Sequence, residues 1–239
     1  MVELFMRRKA ALSASQLDQP PVHDALRFFW SGLDLRKVVQ QDLKYWPSRV
    51  GDGQLGLYRV PSASDFSKHY TLLGNSIVAT GLSRSQDVSP NLWIGDGDKD
   101  STAGFTVEIM ALCDWTVSPG GFIVGHTGAG STPISFRGDS TNGLWIGLGD
   151  SSVALSTGPL DGAHCCTVTC TYNSKADDYT YRLYSDGYFA GESTENYYYY
   201  SGDSFRPNVA LGALASHTRP LTEEEIGRNV RYYKSIWRD

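Results

Sequence analysis

Three aspartates at alternate positions form the best candidate for a metal site. Asp96, Asp98 and Asp100 belong to the acidic segment DGDKD. Alternating carboxylates resemble the first half of a calcium-binding loop, in which hard oxygen ligands converge on one ion. Later positions of such a loop require Gly and Glu, where this chain has Ser101 and Val107. We therefore interpret the segment either as a Ca²⁺ site or as an acidic turn between strands.

Four consecutive tyrosines, Tyr197, Tyr198, Tyr199 and Tyr200, are the candidate surface for a ligand or partner. Tyrosine presents a large apolar ring with a polar tip and loses little conformational entropy on binding, which suits stacking on glycans or contact with proteins. The same residues would also suit an edge strand with two rings buried and two on its rim. The sequence leaves both interpretations open.

The patterns required by several catalytic mechanisms are incomplete. Glycosidases of the β-sandwich type place two carboxylates a few residues apart on one strand. Residues 105–112 offer Glu108 without an acidic residue two or four positions later. The glycine-rich segment GHTGAGS lacks the Lys and the following helix of a phosphate-binding loop, and no Ser-His-Asp triad is evident. The sequence therefore predicts that the protein is not an enzyme and needs no cofactor.

Three of the four cysteines, Cys165, Cys166 and Cys170, cluster beside His164. They would form either a metal site or part of a core. Their spacing lacks the paired pattern of zinc sites, so we expect buried thiols in the reduced state. Alternation along a strand would place Cys166 and Cys170 on one face and Cys165 on the other.

Composition narrows the class of protein. The chain has 239 residues, of which 41% are hydrophobic and 20% are charged, so it is long enough to bury a sizeable core. Its 14 tyrosines favour β-surfaces. The net charge of −5 argues against nucleic-acid binding. No apolar run approaches the roughly 18 residues of a membrane helix, and the start lacks the apolar region of a secretory signal.

From residue 51 onward, short strand-like runs alternate with Gly, Asp, Ser and Asn. Residues 105–112 alternate between large apolar residues and a second set that includes Glu108. The segment Ser185-Asp186-Gly187 between two tyrosine-rich runs predicts a hairpin turn. Because helices do not alternate with these strands, the predicted fold is all-β, with antiparallel strands in a sandwich or barrel.

Residues 1–50 are predicted to form a helical extension, and residues 51–239 the main domain. Two prolines precede an apolar run at residues 22–30, which predicts a helix, and helical spacing resumes at residues 33–43. These apolar residues are too numerous for a solvated tail, so they must cover either the sandwich itself or a neighbouring subunit. We interpret the extension as an attachment segment with Phe28, Phe29 and Trp30 as its anchors.

The chain ends in a predicted amphipathic helix over residues 223–237. Thr222 and Glu225 have the spacing of a capping box. Ile226, Val230 and Trp237 then fall on one face of a helix, which predicts that they pack inward on the sandwich.

Four motifs follow one another along the second half of the chain. They are FTVEIMALCDW; GGFIVGHTG with GLWIGLGD; LDGAHCCTVTCTYN with YRLYSDGYFAGE; and RPLTEEEIGRN. In this order they resemble the laminin-G-like, concanavalin-A-like jelly-roll superfamily, although Ala163 replaces a tryptophan common in that family. The resemblance implies an antiparallel two-sheet jelly-roll sandwich, here with a helical N-terminal extension and a C-terminal helix.

Domains that resemble this superfamily and carry an N-terminal extension occur among the virion proteins of tailed phages. By this analogy the sequence predicts a non-enzymatic virion protein assembled in the host cytoplasm, either a capsid decoration protein or a head spike or fibre. The alternative is a carbohydrate-binding, lectin-like module of a tail fibre or receptor-binding protein. The expected partners are the major capsid protein, cell-surface glycans and further copies of the chain, without nucleic acid or membrane.

Overall fold

The structure is a computed structural model that describes residues 20, 22–41, 45–57, 70–79, 86–89, 104–118, 120–125, 134–149, 153–196 and 204–237. In the first half its strands are β1 (Leu26–Ser31), β2 (Tyr45–Pro47), β3 (Gln54–Gly56), β4 (Tyr70–Leu73), β5 (Ser76–Ala79), β6 (Gln86–Ser89), β7 (Phe105–Cys113) and β8 (Gly121–Gly125). In the second half they are β9 (Ile134–Asp139), β10 (Gly143–Leu148), β11 (Leu155–Ser156), β12 (Gly162–Asn173), β13 (Asp178–Ser185), β14 (Tyr188–Glu195), β15 (Ser204–Phe205) and β16 (Ala210–His217). The helices are a 3-10 turn (Gly32–Asp34), α1 (Leu35–Gln40) and α2 (Glu223–Ile236).

The strands form two antiparallel sheets. In the first sheet the order is β14-β13-β12-β7-β16-β5-β4, with β1 also paired to β16. In the second sheet the order is β11-β10-β9-β8-β15-β6-β3-β2. The predicted fold class, an all-β antiparallel sandwich of two sheets, is confirmed. Helices are a minor part of the described residues, and none of these is long and apolar enough to cross a membrane.

The main core lies between the sheets and is formed by alternate residues of their strands. Phe105, Val107 and Ile109 of β7 contribute from the first sheet, and Phe136 and Ile146 from the second. These side chains are buried, as the alternation in residues 105–112 predicts. Successive side chains of a strand point to opposite faces, so the intervening residues of β7 face away from this core.

A second apolar cluster lies on the other face of the first sheet, beneath α2. Met110 and Cys165 of the sheet pack there with Ile226 and Val230 of the helix, and Trp237 packs against the edge of the cluster. The helix begins with the predicted capping box of Thr222 and Glu225. The amphipathic C-terminal helix is therefore confirmed, together with the residues predicted to face inward.

The helix predicted over residues 22–30 is wrong, because β1 occupies most of this segment. β1 pairs antiparallel with β16, with Phe28 opposite Ser216 and Trp30 opposite Leu214. Both of its faces are covered, since Phe28 and Trp30 enter the main core whereas Phe29 lies under α2. The sequence of a strand buried on both faces is a continuous apolar run. Periodicity alone does not distinguish such a run from a buried helix.

The described residues before position 50 contribute a strand to each sheet. β1 joins the first sheet, and β2 joins the second through its pairing with β3. Between them, the described residues 32–41 contain the 3-10 turn and α1. The helical spacing at residues 33–43 therefore predicts α1, whereas β1 and β2 show that the segment before residue 50 is not a helical extension.

Candidate functional site

Two of the predicted sites lie outside the described residues. These are the candidate calcium ligands Asp96, Asp98 and Asp100 and the four tyrosines Tyr197, Tyr198, Tyr199 and Tyr200, and both assignments stay predictions. Within the part of the chain that the structure describes, no three His, Cys, Asp or Glu residues are grouped as metal ligands.

The predicted anchors Phe28, Phe29 and Trp30 lie inside the sandwich. Their side chains are 2%, 0% and 0% exposed, and Trp30 Nε1 donates a hydrogen bond to the carbonyl oxygen of Trp46 at 2.9 Å. These residues cover the sandwich itself, which was one of the two surfaces that the sequence left open. Attachment of residues 1–50 to a partner stays a prediction.

Glu108, the carboxylate considered for catalysis, lies beneath α2. Its Oε2 accepts hydrogen bonds from Asn229 Nδ2 at 2.9 Å and from the Tyr233 hydroxyl at 3.0 Å, and lies 2.9 Å from His217 Nε2. Burial, together with the neighbouring Glu108 carboxylate, raises the pKa of Tyr233 well above its ordinary value. Glu108 thus joins the C-terminal helix to the first sheet and is not open to a substrate.

The cysteines are buried and free of disulfides, as expected. Cys166 and Cys170 face the main core and Cys165 faces α2, which confirms the predicted alternation. Burial is the main cause that raises the pKa of Cys113 to about 12. These four thiols are therefore poor nucleophiles and poor metal ligands, because both roles require the thiolate.

An exposed aromatic pair stands at the β13–β14 hairpin, on the edge of the first sheet. Tyr188 is 79% exposed and Phe189 is 53% exposed. The Phe189 ring meets the Tyr184 ring edge-on, with 5.9 Å between the ring centroids. On the face of the hairpin that carries Phe189, Arg182 Nε donates a hydrogen bond to Glu192 Oε2 at 3.0 Å, and both side chains are about half exposed. Tyr188, the preceding residue of β14, lies on the opposite face of the strand. We call Arg182, Tyr188, Phe189 and Glu192 the hairpin patch.

The turn between β13 and β14 is held firmly against the rest of the molecule. Asp186 and Gly187 have φ values of +52° and +87°, as a two-residue hairpin turn with two left-handed positions requires. Asp186 Oδ1 accepts from the Cys165 N–H at 2.9 Å, while Oδ2 lies 2.8 Å from His164 Nδ1 and 3.1 Å from Lys234 Nζ. Although burial alone would raise the pKa of Asp186, these three contacts hold it below its ordinary value.

The anchored turn presents the hairpin patch on a rigid support. Aromatic rings with adjacent charged groups can stack on the apolar face of a sugar and hydrogen-bond to its hydroxyls. The sequence predicted the strand that carries Tyr188 and Phe189 but not their exposure. The signal that could have found them is the run of consecutive aromatic residues directly after a hairpin turn.

A second distinctive arrangement lies on the outer face of the second sheet. Phe122, Arg137 and Trp145 stand side by side on β8, β9 and β10, in cross-strand register. The Arg137 guanidinium carbon lies 5.3 Å from the centroid of the Trp145 ring, and Arg137 Nε donates to Ser135 Oγ at 3.1 Å. We call Phe122, Arg137 and Trp145 the arginine row.

Asp139, at the end of β9, supports the arginine row from one side. Its Oδ2 accepts a hydrogen bond from Trp145 Nε1 at 2.7 Å, and its Oδ1 accepts from the backbone N–H groups of Thr141 and Asn142. Burial would raise the pKa of Asp139, but hydrogen bonds from Asn142, Thr141 and Trp145 outweigh it and hold that pKa below its ordinary value. The carboxylate therefore fixes the indole and the following turn.

No protein-family model matches the chain, and no curated protein matches its sequence. Its fold is similar to that of solved structures. Trypanosoma rangeli sialidase is 13% identical, with a TM-score of 0.59, over 100% of this chain and 39% of the sialidase. The same sialidase in complex with sialic acid gives 12% identity and a TM-score of 0.57, over 98% and 39% of the two chains. A mutant of HCR D/C VPI 5995 gives 13% identity and a TM-score of 0.50, over 70% of this chain and 46% of that one.

These similarities show that the chain shares a β-sandwich fold with these structures, and identities of 12–13% establish the fold alone. The chain spans about two fifths of the length of the two sialidase structures. The prediction that the protein is not an enzyme is contradicted, because structures that share its fold include sialidases. That prediction depended on a missing carboxylate beside Glu108, and this pattern tests for only one arrangement of glycosidase residues. The predicted place on a phage virion gains no support here and stays a prediction.

Proposed function

We propose that the protein binds carbohydrate through the hairpin patch. The observation that carries this proposal is the exposure of Tyr188 and Phe189 on a turn anchored by Asp186. Large aromatic side chains exposed on a firmly held hairpin, here one on each face of β14, are typical of a recognition surface. The similarity of the fold to a sialidase solved with sialic acid supports a sugar as the ligand.

The patch has the groups that a sugar requires. The ring of Tyr188 offers an apolar surface for the C–H face of a pyranose, and its hydroxyl offers a donor and an acceptor. On the opposite face of the hairpin, beside Phe189, Arg182 and Glu192 add a donor and an acceptor at paired positions of β13 and β14. Because this ion pair is half exposed, its polar atoms can exchange water for sugar hydroxyls at small cost.

A glycan array probed with the full chain tests the proposal, followed by titration of the best ligand against variants. We expect Tyr188→Ala to weaken binding about ten-fold, as for an exposed aromatic anchor. Tyr45→Ala is the matched control, since Tyr45 is a tyrosine 48% exposed on β2, away from the hairpin. Binding to no glycan, or equal loss in both variants, would refute the proposal.

A further inference from the structure

Arg137 is held in place without an acidic partner among the residues that the structure describes. Three other arginines of the described residues form close ion pairs with carboxylates: Arg49 with Asp34, Arg182 with Glu192, and Arg219 with Asp24 and Glu225. Among the described residues, no ion pair joins Arg137 to a carboxylate. A guanidinium has five N–H donors, and Arg137 uses one of them for Ser135 Oγ.

Two contacts fix the orientation of this guanidinium. The guanidinium lies over the Trp145 ring in a cation–π contact, and its Nε donates a hydrogen bond to Ser135. Trp145 is itself only 7% exposed and is held by Asp139. The arginine has therefore already lost much of the side-chain entropy that binding would cost, which favours affinity for a ligand of matching shape.

The nearest carboxylate along the strand does not compete for these donors. Asp139 lies two residues beyond Arg137 on the same face of β9, but both of its oxygens accept hydrogen bonds from the Asn142 amide, besides those from the indole and the turn. Its lone pairs are thus directed into the turn. Among the described residues, no acceptor binds the two terminal nitrogens of Arg137, and a carboxylate from outside the protein would fit them with two parallel hydrogen bonds.

We propose that the arginine row is a second binding site, distinct from the hairpin patch, which takes the carboxylate of an acidic sugar. The neighbours of Arg137 favour a sugar acid as the source of this carboxylate. Phe122, in register with Arg137 on β8, is partly exposed and offers an apolar surface to the C–H groups of a pyranose ring. The proposal goes beyond the proposed function, because it places a second binding site, one for a negatively charged ligand, on the second sheet.

The test compares an oligogalacturonate with its methyl ester, two ligands that differ in charge and share the sugar ring. Isothermal titration with the full chain should give tighter binding of the acid, by about ten-fold to a hundred-fold, the range of a charge-assisted hydrogen bond. Arg137→Gln should remove this preference, and Arg137→Lys should restore only part of it, because an ammonium lacks the fork of the guanidinium. Arg36→Gln, which removes an exposed arginine of α1, should keep it.

The Nε–H resonance of Arg137, identified by its absence in Arg137→Lys, gives a second measurement on the unmodified protein. It should shift with the acid and stay in place with the ester. Equal binding of acid and ester, or an unshifted resonance at saturation, would overturn the proposal. Tyr188→Ala separates the two sites: the preference for the acid should survive this variant, whereas failure of the hairpin patch alone would leave the Arg137 results unchanged.

Discussion

Replacement of Glu108 by Ala should loosen the C-terminal helix and lower the free energy of unfolding. The substitution removes the acceptor of His217, Asn229 and Tyr233, and the side chains of Glu108 and His217 are 0% exposed. Each buried group left without its partner costs about 1–3 kcal/mol. Because the three bonds share one oxygen they are not additive, and we expect a loss of about 3–6 kcal/mol. This is a large part of the roughly 5–15 kcal/mol that stabilises a typical domain.

Urea unfolding of wild type and variant measures this loss, and hydrogen exchange locates it. Amides of α2 should exchange faster in Glu108→Ala while those of β13 change less, since β13 lies two strands away in the sheet. Glu108→Gln keeps one oxygen acceptor in place and should lose less. Glu192→Ala removes a carboxylate that is 51% exposed and should change stability little. A loss below about 1 kcal/mol for Glu108→Ala would refute the reasoning, because it would mean that the buried groups find other partners.

Three further predictions concern the two ends of α2 and the main core. Gly212→Ala should lower the melting temperature and change tryptophan fluorescence, because a Cβ at Gly212 would lie 1.2 Å from Trp237 Cζ3. Hydrogen bonds from Arg219 lower the pKa of Glu225 from 4.5 to about 2, so stability is present above pH 4.5 and is lost as the pH falls toward 2; Arg219→Gln should flatten this part of a urea-measured profile. Burial raises the pKa of Cys166 well above its ordinary value, so iodoacetamide should modify it only after unfolding, as mass spectrometry can show.

Each of these three predictions can be contradicted by a specific result. Gly191→Ala is the control for Gly212→Ala, since a Cβ at Gly191 meets Leu155 at 3.4 Å, an ordinary contact; equal melting of the two variants would contradict the packing of Trp237 on β16. A profile between pH 4.5 and 2 that Arg219→Gln leaves unchanged would assign the acid sensitivity to other carboxylates. Rapid alkylation of native Cys166 would show that the main core opens locally.

Local patterns predicted the elements whose signal lies within a few residues. The alternation of β7, the turn at Asp186 and Gly187, and the capping box of Thr222 and Glu225 each depend on neighbours in sequence. β1 could not be predicted in this way. Its backbone partners belong to β16, at the other end of the chain, and the apolar segment LRFFWS has no alternation, because both of its faces are buried.

The candidate sites also differ in how far neighbouring residues in the sequence could predict them. The hairpin patch could be located to a strand, but the exposure of Tyr188 depends on which edge of the sheet β14 occupies. The arginine row has no local signal. Arg137 and Trp145 meet because β9 and β10 pair in one register, and a shift by one residue would place Trp145 in the main core.

The pairing of β1 with β16 delays the completion of the fold during synthesis. Val22 bonds to Asn229 over a separation of 207 residues, and Asp24 bonds to Arg219 over 195. At about 5–20 residues per second, a ribosome needs roughly 10–40 s after making β1 before its partner strand exists. Throughout that interval the nascent chain carries Phe28, Phe29 and Trp30 without their native cover, a segment suited to capture by a chaperone. Such long-range closure also predicts slow refolding of the isolated protein from denaturant.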